Sequence, residues 1–581
     1  MPTLVLTNFN IVVSVLGGWV SLFGLVSYLC KENFYLSEAL ISLLAGVAFS
    51  PSAANFVRPL QYAGSQANLD AVTLHFSRLV LGVQLVLAGV QLPSRYLKKQ
   101  WRPLLLLLGP VMTGMWLVAG LLVWALVTPR MPFLHALAIG ACVAPTDPVL
   151  SNVVVKGRFA DQNVPVELQR IIIAESGAND GLGYPFLFLA LYLIQYTGAS
   201  GESGGAARTM GLWFGETWGY TILLSVAYGS LVGYVAKELL HWAEERHYCD
   251  RESFLVFAIS LALFTTGTCG LLGSDDVLAC FVAGNVFTWD DWFRLETQDD
   301  TLQPTIDMLL NVAIFMWLGA VCPWSLFAHG PVPLYRLVLL GILVLLLRRL
   351  PWVLALHRYV PQIEHLRHAV FVGFFGPVGV SAIFYLYVTL EFVDGLSSTD
   401  RPRPDVARLG DTATVVVWFL SICSIVVHGL SIPVGKLGLY LPRTLSRSLP
   451  SSTSAGRTTG LSSGTDNGLP PFHIGSRVST LVLRRSHNAR RNQDQPSAPT
   501  QPATAADRTD VQIVLSDPDG EHNTTNININ TAARPVYRIG GSIIPSRVAT
   551  DGGEAAIAFT PSGPSTLFNR TIRFPDEPLS S

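Results

Sequence analysis

Charge is scarce in this chain. Of 581 residues only 14% are Asp, Glu, Lys or Arg, and the formal net charge is -1. The charges that exist sit in loops and beyond residue 441, so no basic face for nucleic acid is built and no nucleic-acid partner is expected. Paired metal-ligand spacing is missing as well. The seven cysteines (Cys30, Cys142, Cys249, Cys269, Cys280, Cys322 and Cys423) are scattered and mostly lie in apolar stretches, which reads as small packing residues rather than a disulfide framework. No hydrolytic nucleotide-binding motif occurs, so any work the chain does should be driven by gradients rather than by nucleotide hydrolysis; it is not read as an enzyme, and no cofactor is expected. The first apolar segment lacks a basic leader and runs too long for a cleavable signal, so a retained helix is expected there.

What the chain has in abundance is apolar length. Half of it is hydrophobic, in blocks of roughly 18–25 residues, the length that spans about 30 Å of hydrocarbon. The expected fold is an all-α polytopic membrane protein of about thirteen transmembrane helices. Their approximate cores are 9–30, 35–56, 75–93, 103–127, 132–154, 170–196, 217–240, 253–272, 275–289, 304–322, 331–356, 366–390 and 412–435. One alternate set of connections holds Arg95, Lys98, Lys99, Arg102, Lys156, Arg158, Arg246, Arg251, Arg358 and Arg367. The positive-inside rule makes that side cytoplasmic, with the amino terminus outside and the carboxyl end inside. Residues 1–441 are then a membrane domain. Residues 442–581, rich in Ser, Thr, Pro, Gly and Asn, are expected to be a disordered cytoplasmic tail open to regulatory proteins. The short island Val536-Tyr537-Arg538-Ile539-Gly540 is a candidate docking motif in it.

Ionisable residues at membrane depth are costly and mark ion or proton pathways. The fifth span contains Ala144-Pro145-Thr146-Asp147-Pro148-Val149. Pro148 withholds the amide that Ala144's carbonyl needs, and Pro145 does the same to Ala141, so an unwound stretch is expected in mid-membrane. Freed carbonyls, the Thr146 oxygens and the Asp147 carboxylate form a hard-oxygen set suited to Na+, Li+ or K+. The sixth span contains Glu175-Ser176-Gly177-Ala178-Asn179-Asp180-Gly181. Helical spacing puts Ser176 and Asp180 on one face, toward the cation, and Glu175 and Asn179 on the adjacent one as bracing groups. With Asp147 and Asp180 in one low-dielectric cavity, proton and cation compete for the same carboxylates, the simplest physical basis of antiport. A buried Glu175 needs its own cation. Arg348 and Arg349 in the eleventh span are the candidates, with Arg349 favoured.

The twelfth span carries Phe375-Gly376-Pro377-Val378-Gly379-Val380, a second break at Gly376, Pro377 and Gly379 that answers the one at Pro145 and Pro148. Two interrupted helices in corresponding positions point to inverted repeats whose broken helices cross at the site. Spans within 103–196 and 331–435 would form the mobile ion-carrying core, and those within 9–93 and 217–322 the scaffold. Asp275 and Asp276 either line a funnel at the external end of the ninth span or sit in a solvated loop, and the loop is the reading favoured here. Asp290, Asp291, Glu296, Asp299 and Asp300 read as a solvated acidic loop. His75 and His428, both placed on buried faces, read as bystanders rather than pH-responsive groups.

These residues carry a resemblance. Thr146-Asp147-Pro148 followed by Glu175-Ser176 and Asn179-Asp180 resembles the monovalent cation:proton antiporter superfamily, in its sodium/proton exchanger and NhaP-like branch. Asp275-Asp276-Val277-Leu278-Ala279-Cys280-Phe281-Val282-Ala283-Gly284-Asn285, Trp289-Asp290-Asp291-Trp292-Phe293 and Phe76-Ser77-Arg78-Leu79-Val80-Leu81-Gly82 are similar to the fungal plasma-membrane members in particular. The resemblance implies a homodimer that works by an elevator-like movement and exports Na+ and Li+, with K+ as a further candidate, in exchange for external H+. It implies cation contacts at Thr146, Asp147, Ser176 and Asp180, and a supporting shell of Glu175, Asn179 and an arginine of the eleventh span. The rival readings are an endosomal K+/H+ exchanger, a cation channel and a non-transporting membrane sensor. A channel should carry a selectivity-filter loop, and a sensor leaves both helix breaks without a purpose.

Overall fold

The computed structural model describes residues 7–127, 131–155, 158–197, 204–397 and 403–448, with 538–539 and 542–543. The chain divides into two units, Met1–Arg457 and Thr458–Ser581. The first is built of helices: α1 (Asn8–Tyr28), α2 (Glu38–Phe49), α3 (Gln66–Gln91), α4 (Trp101–Leu126), α5 (Phe133–Cys142), α6 (Pro148–Val155), α7 (Val166–Gly181), α8 (Gly183–Tyr196), α9 (Gly205–Glu245), α10 (Arg251–Leu271), α11 (Asp276–Phe287), α12 (Leu302–Val321), α13 (Leu334–Leu347), α14 (Leu350–Leu356), α15 (Leu366–Phe374), α16 (Val380–Ser397) and α17 (Pro404–Ser448). In the second unit the described residues are two two-residue strands, Arg538–Ile539 antiparallel to Ser542–Ile543, the first of them in the expected docking island. The rest of the expected tail lies outside the described residues, except that α17 runs past Leu441 to Ser448.

Among the described residues, eight helices are long and apolar enough to cross a membrane. The five other expected spans coincide with helices that are short or broken, each for a local reason. The second and ninth, α2 and α11, have 12 residues apiece. The fifth is split into α5 and α6 by Pro145 and Pro148, and the twelfth into α15 and α16 by the Gly-Pro-Val-Gly run. The sixth was expected to be a regular helix, and it is interrupted at Leu182. Pro185 explains this, because it has no amide for the carbonyl of Gly181. Helix starts follow their capping residues: Ser65 Oγ accepts from Asn68 N at 3.2 Å, Asp250 Oδ1 from Ser253 N at 2.9 Å and Asp275 Oδ1 from Leu278 N at 3.1 Å.

Packing uses close backbone approach. Helix α2 runs along α12, α11 lies between α3 and α9, and α4, α5 and α8 pack as a second group with α16 against α17. A hydrocarbon solvent gives apolar side chains no reason to pair, so contacts in membranes rely on small residues that let helices meet closely. Gly89 of α3 is such a point. A Cβ there would stand 2.7 Å from both Asn285 N and Phe281 O of α11. Gly229 and Gly233 of α9 meet the backbone of Ala279 and Ala283 on the other side of α11 in the same way. The substitution Gly89→Leu should therefore cost about 1–3 kcal/mol by overpacking. Gly267→Leu, where nothing lies within 4 Å of the added carbon, should change little. Thermal unfolding of the two purified variants in detergent makes the comparison, and equal midpoints would contradict it.

Candidate cation site at the crossing of two broken helices

The two breaks meet each other directly. The amide of Asp147, in the first break, donates to the carbonyl of Pro377 in the second at 3.0 Å. Around that contact the four half-helix ends are sorted by sign. Asp147 stands at the two amino-terminal ends. Its Oδ1 accepts from Val149 N at 2.8 Å and Leu150 N at 3.4 Å at the start of α6, and its Oδ2 accepts from Val380 N at the start of α16. Gly379 permits this, because a side chain there would collide with the Asp147 carboxylate.

Arg348 stands at the two carboxyl-terminal ends. Its Nη1 donates to the carbonyls of Val143, Ala144 (3.2 Å) and Pro145 (3.3 Å), and its Nη2 to the carbonyl of Gly376. The carbonyls that the prolines free were expected to be available to a cation, but the Arg348 guanidinium takes that of Ala144, and that of Ala141 accepts from Ala144 N at 3.3 Å. Thr146 is held between the breaks and α7. Its amide donates to Asn179 Oδ1 at 3.1 Å, its hydroxyl accepts from Asn179 Nδ2 at 2.6 Å, and its carbonyl accepts from Ser176 Oγ at 2.6 Å. Ser151 Oγ reaches both the Asp147 carbonyl, at 2.7 Å, and Ser176 Oγ, at 3.2 Å.

Of the two candidate arginines, Arg349 meets Glu175. Nη1 and Nη2 contact Oε1 and Oε2 at 2.6 and 2.8 Å, a bidentate pair with both side chains 3% exposed. Arg349 Nε also donates to Val372 O at 2.9 Å, and Gly376 leaves room for its stem. Thus Thr146, Asp147, Ser176, Asn179, Arg348, Pro145, Pro148, Gly376, Pro377 and Gly379 gather in one buried cluster, with Glu175 and Arg349 beside it.

Asp180 is different. It is wholly buried in the last turn of α7, and among the described residues neither carboxylate oxygen has a hydrogen-bond partner. The backbone carbonyl of Asp180 is taken by the Tyr385 hydroxyl, which also reaches Gly181 O at 3.3 Å. Tyr385 was missed from sequence. Its signal was indirect, since Pro185 announces a freed carbonyl on α7 that needs a donor. Asp275 and Asp276 correct the solvated-loop expectation, being 1% and 3% exposed. The first caps α11 and the second pairs with Arg78 Nε at 2.6 Å. The acidic loop is ion-paired rather than merely solvated: Asp291 meets Arg294 at 2.6 Å, and Asp290 meets Lys237 at 3.1 Å. The Arg294 guanidinium holds the Asp291 carboxyl below its usual range. His75 is exposed, not buried. His428 is buried, with one ring nitrogen 3.0 Å from Phe374 O at the second break and the other at Ser424.

Residues 19–434 match the family described as sodium/hydrogen exchanger, transmembrane. The chain is 37% identical to Na(+)/H(+) antiporter 2 of Zygosaccharomyces rouxii over 82% of this chain and 58% of the relative. It is 37% identical to the Na(+)/H(+) antiporter of Saccharomyces cerevisiae over 77% of this chain and 45% of the relative. With the Na(+)/H(+) antiporter of Schizosaccharomyces pombe it shares 30% identity over 75% of this chain and 92% of the relative. The match thus spans only about half the length of the first two relatives. The solved structure of the sodium proton antiporter MjNhaP1 from Methanocaldococcus jannaschii superposes with a TM-score of 0.50 at 17% identity, over 73% of this chain and all of that one, and shares the fold. This integral membrane protein of multiple spans belongs to the sodium/hydrogen exchanger family.

Proposed function

We propose that the chain is a secondary active antiporter that exports Na+ and Li+, with K+ as a further substrate, from the cytosol in exchange for external H+. Asp180 is the exchange group. One observation carries the reading: Asp180 is fully buried with both carboxylate oxygens unpartnered, while the neighbouring Asp147 already has amides on both of its own. A buried carboxylate without partners is costly in its charged form, so it favours taking up either a proton or a small cation. Thr146, Asp147 and Ser176 supply the remaining oxygens, and Asn179 and the Glu175–Arg349 pair keep them in position. The names of the fungal relatives agree with Na+ and H+ as the exchanged ions.

The rest of the reading follows from this. Helices α4–α8 and α13–α17 form a core that carries the ion past a scaffold of α1–α3 and α9–α12 in alternating access. The protein works as a homodimer in the plasma membrane, amino terminus outside and tail inside, and contributes to alkali-cation tolerance and to pH and K+ homeostasis. Proteins that bind the tail regulate it.

In proteoliposomes holding a pH-sensitive dye, adding Na+ or Li+ should dequench the dye with the parent and not with Asp180→Asn. Because proton and cation share one site, the half-saturating Na+ concentration should rise about tenfold per pH unit on the acid side. A half-saturation independent of pH would exclude competition, and cation flux without protons would identify a channel. A separate outcome concerns the support. Glu175→Gln leaves Arg349 buried and unpaired, so the fold should lose about 3–5 kcal/mol. Glu175→Leu combined with Arg349→Met should recover most of that loss in thermal unfolding. No recovery in the double variant would mean that the pair has no mutual role.

A further inference from the structure

Ser381 lies in the first turn of α16, one residue after the amide that Asp147 holds. It is 1% exposed, and its hydroxyl has no hydrogen-bond partner among the described residues. A buried serine on a helix ordinarily satisfies itself by donating to the carbonyl four residues earlier. Thr389 does so to Tyr385 O, and Thr412 to Arg408 O, both at 2.7 Å. For Ser381 that carbonyl belongs to Pro377, which lies in the unwound break and already accepts from Asp147 N. The break therefore removes the local partner. The amide of Ser381 faces the Asp147 carboxylate, and its hydroxyl lies against that of Asp180 without closing a hydrogen bond there.

We propose that Ser381 is a direct ligand of the transported alkali cation and helps determine which cation the site takes. This rests on the antiporter reading of Asp180 and adds a contact from the second broken helix to those expected from the fifth and sixth spans. A hydroxyl suits both loads of the site, because it has one proton and two lone pairs and can turn. With a cation present, its lone pairs point at the metal opposite the Asp180 carboxylate. With Asp180 protonated, the same oxygen accepts that proton's hydrogen bond. Small hard cations demand close oxygen ligands, so Li+ depends on this contact more than Na+ does.

The test compares parent, Ser381→Ala, Ser381→Cys and Asp180→Asn in two measurements. Alanine removes only an unpartnered hydroxyl and cysteine keeps the volume, so both variants should fold. In the proteoliposome assay both should raise the half-saturating Na+ concentration by about 3- to 10-fold, raise that of Li+ more, and leave the maximal rate near the parent's. A lowered maximal rate with unchanged half-saturation would indicate a structural role and overturn the assignment, as would parental Li+ and Na+ constants in both variants. The second measurement is stabilisation of the purified protein against heat by Na+ and Li+, which needs no transport. The stabilisation should shrink in both Ser381 variants. If the parent moves no protons yet loses cation stabilisation on Ser381→Ala, the antiporter reading fails and the ligand assignment stands. If cations stabilise the parent and the Ser381 variants equally, or do not stabilise the parent, the assignment fails.

Discussion

The first unit depends on one electrostatic constraint, the need to end four half-helices inside an apolar interior. Each helix end carries roughly half an elementary charge, positive at the amino terminus and negative at the carboxyl terminus. At this crossing two amino-terminal ends converge on Asp147 and two carboxyl-terminal ends converge on Arg348. Two half-charges make about one unit, so a single carboxylate balances one pair and a single guanidinium the other. Water would serve in a soluble protein. Here unpaired backbone is tolerated only where protein groups or a watery cavity meet it, and these two side chains do much of that work for both breaks at once. Ser424, whose Oγ accepts from Val378 N at 2.7 Å, and His428 at Phe374 O complete the second break from α17.

This arrangement divides labour between the two aspartates. Both carboxylate oxygens of Asp147 already accept backbone amides at the crossing. Asp180 is not part of the crossing's own balance, and no hydrogen bond is closed on its carboxylate among the described residues. The Glu175–Arg349 pair sits close by and is closed on itself, with further bonds from Arg349 to Val372 O. It ties α7 to the segment that joins α13 and α14. The helix bearing Asp180 is thereby fixed to the group of helices that contains both breaks. On its other side α7 meets α11 through glycines: Gly177 faces the ring of Phe281, and Gly181 faces Leu278 and the Asp275 carboxylate, whose Oδ2 would stand 3.0 Å from a Cβ added there. In the proposed cycle that smooth face is where core and scaffold would slide.

The prolines made the breaks legible in sequence because their effect is local, the loss of an amide four residues from a known carbonyl. Apolar run length likewise marked the helices. The partners of the freed groups were harder to read. Arg348 and Arg349 are neighbours, and hydropathy cannot tell which of two adjacent guanidiniums turns toward Glu175 and which toward the carbonyls of the breaks. Asp275 and Asp276 looked like a solvated pair because Arg78, which meets Asp276, lies far away in the chain. Ser381 gave no pattern at all and Tyr385 only an indirect one, since their importance comes from what the second break brings against α7. Pro185 was readable by the same rule as Pro145 and Pro148, and applied there it marks the interruption at Leu182.

The same physics accounts for coupling in the proposed exchange. An antiporter must not return empty, and no gate is needed to forbid it if the empty state is itself too costly. An isolated ion removed from water costs several kcal/mol even after relaxation, and every kilocalorie and a half or so lowers a population about tenfold. With Asp147 held by amides on both oxygens and Glu175 paired with Arg349, Asp180 is the carboxylate of this cluster without compensation of its own. While it faces water it can be bare and ionised. When it is enclosed between core and scaffold, it must carry a proton, an alkali cation or a large penalty. Exchange then follows from one carboxylate that no hydrogen bond compensates, set beside a second whose donors are all supplied by broken helices.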